Sequence, residues 1–121
     1  MNGFITNIEK DTLDNSFFRR VLYTAKNSQL VVMALNPGEE IGEEVHKEHD
    51  QFIRIESGEG EVTLDGVVRF VKDDFAIVIP AGVRHNVKNT ADGMMKLYTI
   101  YSPPEHLDGT VHQTKEDALK E

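Results

Sequence analysis

Histidine is scarce in this sequence, yet His46 and His49 lie close together and His85 follows a Pro-x-Gly turn at Pro80-Ala81-Gly82. In an extended strand, residues two apart project to the same face, so Glu44 and His46 point together while Val45 faces away. After the turn at 47–50 the chain re-enters a strand at Gln51, whose amide oxygen can serve as a neutral ligand. His85 supplies a third direction from far along the chain. Two imidazoles and a carboxylate converging from separate strands suit Mn, Fe, Ni or Zn in an open site.

Such convergence needs a framework of strands, and the sequence predicts one. Short apolar or alternating runs fall at 17–24, 29–35, 43–46, 51–56, 61–64, 67–71, 75–79, 84–88 and 96–101. Asp65-Gly66 between two such runs signals a two-residue hairpin. Asn36-Pro37-Gly38, Ser57-Gly58-Glu59-Gly60, Asp73-Asp74 and Pro80-Ala81-Gly82 are further turns. Strands this short, with no long helical pattern between them, predict an all-β sandwich or barrel. The expected organisation is a polar N-terminal extension over 1–16, a barrel over 17–101 and a charged C-terminal tail over 102–121. Short helices are expected near Ile8–Leu13 and Thr114–Lys120.

Composition narrows the function. The chain has 121 residues, 13 Lys+Arg against 21 Asp+Glu, a net charge of −8 and no cysteine. An acidic surface repels phosphate backbones and anionic lipid, which predicts neither nucleic-acid nor membrane binding. No apolar run approaches the ~20 residues that span a bilayer. The absence of cysteine removes disulfides, thiol catalysis and thiolate metal sites, and fits a cytoplasmic protein.

The residues around the candidate ligands carry a resemblance. Gly38-x5-Glu44-x-His46-x4-Gln51-x6-Gly58 resembles the first cupin motif, G-x5-H-x-H-x3–4-E-x6-G. Pro80-x-Gly82-x2-His85-x3-Asn89 resembles the second, G-x5-P-x-G-x2-H-x3-N. The resemblance implies a cupin-type double-stranded β-helix, or jelly-roll barrel. It implies a divalent ion held by Glu44, His46, Gln51 and His85, and a homodimer formed through barrel edges, which protects exposed strands. The chain departs from the motifs where Glu44 replaces a histidine, Gln51 a glutamate and Asp74 the opening glycine. Asp50 lies at the shorter permitted spacing from His46 and is a rival to Gln51; stepping six residues further lands on Ser57 from Asp50 but on Gly58 from Gln51, and this register favours Gln51. The segment 101–112 resembles the C-terminus of small bacterial cupins grouped by fold with cupin-type mannose-6-phosphate isomerases, although the sequence offers no basic phosphate site.

Each candidate has a plainer alternative. Glu44 belongs to an acidic run with Glu39, Glu40 and Glu43 that can be a solvated face, and Gln51 can simply bond backbone. By parity Arg54 falls opposite Gln51, Ile53 and Ile55, and pairs outside the barrel with Glu56 or a neighbouring strand. Tyr98 and Tyr101 have opposite parity, so at most one faces the interior; Tyr98, Asn36, Arg84 and His112 are candidates for supporting or lid contacts, Tyr98 also for moving a proton. Glu44 itself can be a ligand or a base. The functional expectation is a non-redox isomerase or lyase acting on a small sugar, uronate or hydroxy-carbonyl compound. Small cupins that open unsaturated uronates resemble this chain in a His, His, Gln and His set, apart from Glu44. The alternatives are a metal-dependent dioxygenase and a non-catalytic module that binds a metal or metabolite.

Overall fold

The computed structural model describes residues 2–120. Helix α1 (Ile8–Asp14) is followed by β1 (Arg19–Thr24), β2 (Gln29–Leu35), β3 (Asp50–Ser57), β4 (Glu59–Leu64), β5 (Val67–Lys72), β6 (Ala76–Ile79), β7 (His85–Asn89), β8 (Met95–Ser102), β9 (Val111–His112) and α2 (Lys115–Leu119). Six strands form one sheet in the order β6-β3-β8-β2-β1-β9, and three form the other in the order β5-β4-β7. Every pairing between named strands is antiparallel. This is the expected mostly-β double-stranded β-helix. The run 43–46 contributes only a bridge at Glu44 rather than a full strand, and β9 was not anticipated, since two residues carry no readable alternation.

The predicted hairpin is present: Leu64 pairs with Val67, and Asp65 and Gly66 both take positive φ, at 47° and 84°, as a tight turn matched to strand twist requires. A different constraint acts at Gly60, where a Cβ would stand 2.1 Å from the Lys88 carbonyl oxygen, so β4 and β7 approach only because no side chain is there.

Strand β2 reads as a continuous apolar run because both its faces are covered. Val31, Met33 and Leu35 join the core between the sheets. Val32 and Ala34 are also buried, on the alternate face, where α1 packs against β2, β3 and β8. Asn7 caps α1 by accepting a hydrogen bond from the Lys10 N–H at 3.1 Å.

Inward-facing side chains change character along the barrel. On β3 they run Ile55, Ile53, Gln51; on β8, Leu97, Thr99, Tyr101; on β7, Val87, His85; on β2, Val31, Gln29, and all are buried. The register places Gln51 and Gln29 on either side of Tyr101. One end of the interior is thus apolar and the other lined with hydrogen-bonding groups. No helix among the described residues is long and apolar enough to cross a membrane.

Candidate metal centre

The polar end is assembled by backbone pairing. Glu44 donates its N–H to the His85 carbonyl at 2.8 Å, and His85 returns the bond to Glu44 at 2.9 Å, which makes their side chains cross-strand neighbours on one face. The His46 carbonyl accepts from the Gly82 N–H at 2.9 Å. Gly82 sits at φ 89°, a left-handed conformation that glycine adopts without strain. The Pro80–Gly82 turn that leads into His85 is therefore tied to the segment that carries His46. As a result, one ligand atom from each of Glu44, His46 and His85 lies within 4.8 Å of the others.

The far sides of these rings are engaged and the near sides are bare. His85 Nδ1 donates to the Val83 carbonyl at 2.9 Å, which leaves its Nε2 lone pair free. His46 Nδ1 lies 2.9 Å from Glu105 Oε2, a contact that favours a proton on Nδ1. Gln51 Nε2 donates to Thr99 Oγ1 at 3.0 Å, which orients the amide and leaves Oε1 over. His46 Nε2, His85 Nε2 and Gln51 Oε1 are all buried without a hydrogen-bond partner. Unpartnered buried acceptors are costly, and an acceptor set of two imidazoles, an amide and a neighbouring carboxylate is what a divalent first-row ion requires. The donor set fits such an ion.

Without an ion, the same groups couple to one another. The Glu44 carboxylate, 3.7 Å from His46 Nε2, holds the His46 imidazolium above its ordinary pKa against an opposing effect of burial. Burial pushes the Glu44 carboxyl up, but His46, Arg19 and His85 together hold it below the usual carboxylate range. Burial raises the Tyr101 phenol far above its usual value, so it stays protonated.

The family model for the cupin domain matches residues 31–101, more than half of the chain. The chain belongs to the cupin family. Among similar proteins, the uncharacterized protein YrkC of Bacillus subtilis is 48% identical over 96% of this chain and 66% of YrkC, so the cupin described here spans just under two thirds of that relative. The uncharacterized protein L612 of Acanthamoeba polyphaga mimivirus is 41% identical over 89% of this chain and 70% of its own. The crystal structure of BH2720 from Bacillus halodurans superposes with a TM-score of 0.97 at 44% identity, covering 99% of this chain and 96% of that one. These relatives support a small cupin domain and lend nothing to a mannose-6-phosphate isomerase.

Of the residues singled out from sequence, the cupin barrel brings Glu44, His46 and His85 together and buries Gln51 in the same interior, beside Tyr101. Asp50 is exposed and accepts from the Ala81 N–H at 2.9 Å, turned away from the ligands. Tyr98 takes the outward parity of β8 and packs on Phe52, with ring centroids 6.2 Å apart, while Tyr101 has the inward place, edge-on to His46 at 5.8 Å. Arg54 pairs outside the barrel with Glu56 and Asp74. Arg84 pairs with Glu43 on the surface, and Asn36 is likewise exposed. His112 is buried against Arg19.

Three contributors were not singled out from the sequence: Arg19, Glu105 and His106. Glu105 and His106 come from the tail, which Gln29 clasps. Gln29 Oε1 accepts from the N–H groups of Glu105 and His106 at 3.2 and 2.9 Å, and Nε2 donates to the His106 carbonyl at 2.7 Å. His49 adds a hydrogen bond to the Pro103 carbonyl at 2.7 Å. All five histidines of the chain thus gather at one end of the fold.

Burial, with the positive charge of Arg19, pushes the His106 imidazole down to about 4. Unfolded, it returns to about 6.5, so between those values the unfolded chain binds more protons. The stability that neutral His106 contributes is complete above pH 6.5 and is lost as the pH falls toward 4. Metal-free protein taken from pH 7 to 4.5 should lose on the order of 2 kcal/mol more than His106→Gln treated alike. His46 titrates with the opposite sign in both proteins. Denaturant midpoints at the two pH values check this, and parallel acid limbs would contradict it.

Proposed function

We propose that this cupin is a metal-dependent, non-redox isomerase or lyase acting on a small sugar, uronate or hydroxy-carbonyl compound. The observation that carries the reading is the set of unpartnered acceptors, His46 Nε2, His85 Nε2 and Gln51 Oε1, turned inward by partners on their far sides. A bound divalent ion supplies a Lewis acid for a substrate carbonyl. Gln51 contributes an amide where a carboxylate would add negative charge, so the donor set favours charge stabilisation over oxidation of the ion, which supports non-redox chemistry over a dioxygenase. Glu44 serves as ligand or as the base that moves a proton. Tyr101 remains a protonated phenol and His106 a neutral imidazole, both suited to donating hydrogen bonds to substrate oxygens. A cytoplasmic placement and a homodimeric state belong to the same proposal; among the described residues β5 pairs with β4 alone and exposes Val67, Val68 and Phe70, which an edge-to-edge dimer would cover.

Elemental analysis of untagged protein should find about one equivalent of ion per chain, followed by a screen of sugar, uronate and hydroxy-carbonyl substrates under nitrogen. Turnover without oxygen supports the reading. Oxygen consumption would turn it toward a dioxygenase, and metal-free protein that cannot be reconstituted would end it. Gln51→Glu should bind the ion roughly tenfold more tightly or alter its preference among Mn, Fe, Ni and Zn. Unchanged affinity and preference would remove Gln51 from the donor set.

A further inference from the structure

Arg19 is a guanidinium buried in the fold with no ion pair among the described residues. It is 7% exposed. Among the described residues its hydrogen bond runs from Nη1 to Nδ1 of His112 at 3.2 Å, and its cationic face lies over the Phe18 ring at 5.2 Å. Neither neighbour is an anion, and no carboxylate of the described residues comes within ion-pair distance of it. Arg19 Nε is buried with no hydrogen-bond partner. Charges in that position cost several kcal/mol unless they are paired, and arginine is rarely buried otherwise.

Its field reaches the metal centre. The Arg19 charge acts on Glu44, His46, Tyr101 and His106. His106 packs edge-on to Tyr101 at 5.2 Å, and its Nε2 is a second buried atom with no partner. With Nη1 committed to His112, the Nε edge remains, and that edge takes a planar carboxylate through two parallel N–H···O bonds.

We propose that Arg19 and His106 form a receptor for the carboxylate of the substrate, so that the molecules taken at this site are small carboxylic acids such as keto acids, hydroxy acids and uronates. This rests on the function proposed above and narrows its substrate class. Arg19 Nε receives the carboxylate, and neutral His106 donates to it or to an adjacent hydroxyl, while the reactive end lies toward Glu44, His46 and His85. Tyr101 stands between the two groups, in ring contact with both His46 and His106.

The test compares charged probes with uncharged counterparts: pyruvate with hydroxyacetone, and glucuronate with glucose, with inorganic phosphate as a further anion. Binding is read by calorimetry and by thermal shift on zinc-loaded and metal-stripped protein, with metal content measured in every sample. Pyruvate or glucuronate should bind at least about tenfold more tightly than the neutral partner. Arg19→Met should abolish that preference at unchanged metal content and raise the melting temperature of ligand-free protein, because it removes a buried unpaired charge. Arg19→Lys, which keeps the charge but not the fork, should retain only part of the preference. Equal binding of charged and neutral probes, a preference that survives in Arg19→Met, or phosphate binding more tightly than either carboxylate would overturn the proposal. Failure of wild-type protein to hold zinc would instead overturn the metal-dependent reading, and the metal-stripped arm still reports on Arg19.

Discussion

Replacing His85 with alanine should remove most of the bound metal while the barrel stays folded. The ring contributes one of the three closely grouped donors, and losing a direct ligand costs more than the 10–100-fold typical of losing a supporting contact. The fold tolerates the change because the hydrogen bonds that join this position to Glu44 are backbone bonds, at 2.8 and 2.9 Å, and alanine keeps them. The remaining cost is a small polar cavity and a Val83 carbonyl without its donor, about 1–2 kcal/mol in all. Metal content by elemental analysis, read beside circular dichroism and a melting curve, separates the two effects. Unchanged metal in a folded variant would sink the assignment of the site.

The second large effect is expected at Gln29, far from the motif and 1% exposed. Its side chain holds the backbone of Glu105 and His106 and also donates to Thr24 Oγ1 at 2.9 Å. Gln29→Ala leaves three partly buried backbone groups unpaired at about 1 kcal/mol each, so a loss of about 3 kcal/mol follows. The tail then loosens, and Glu105 no longer holds the His46 ring, so metal affinity should fall about tenfold as well. Denaturant unfolding and limited proteolysis between residues 102 and 106 test the structural part. A loss below about 1 kcal/mol with an intact, protected tail would show that other contacts dock it.

Why the sequence disclosed one half of this site and not the other follows from distance along the chain. Glu44, His46 and Gln51 lie within eight residues, and His85 sits in a turn-defined motif of its own, so spacing alone exposes them. The hairpin at Asp65-Gly66 was legible for the same reason: its chemistry is local. Arg19 and His112 meet across 93 positions and Gln29 and His106 across 77, and no local pattern records such pairings. A trace existed for Arg19 alone, an arginine two residues before Val21 and so at the parity of a buried apolar residue. The choice between Tyr98 and Tyr101 needed the phase of β8, which parity states only as an alternative. Asp50 and Gln51 differ by one residue, and in a strand that step carries a side chain from solvent to interior.

The reciprocal bonding of Glu44 and His85 has a kinetic consequence. Those two residues sit on paired backbone and move together, whereas His46 is steadied by the Gly82 turn, by Glu105 and, through the tail, by Gln29. The site therefore has a fixed half and a hinged half. Loss of a bound ion should therefore start at His46, whose support from Glu105 can loosen while β9 stays paired with β1. The lifetime of a bound ion should then depend on Gln29, a residue outside the ligand set that holds the amides of Glu105 and His106.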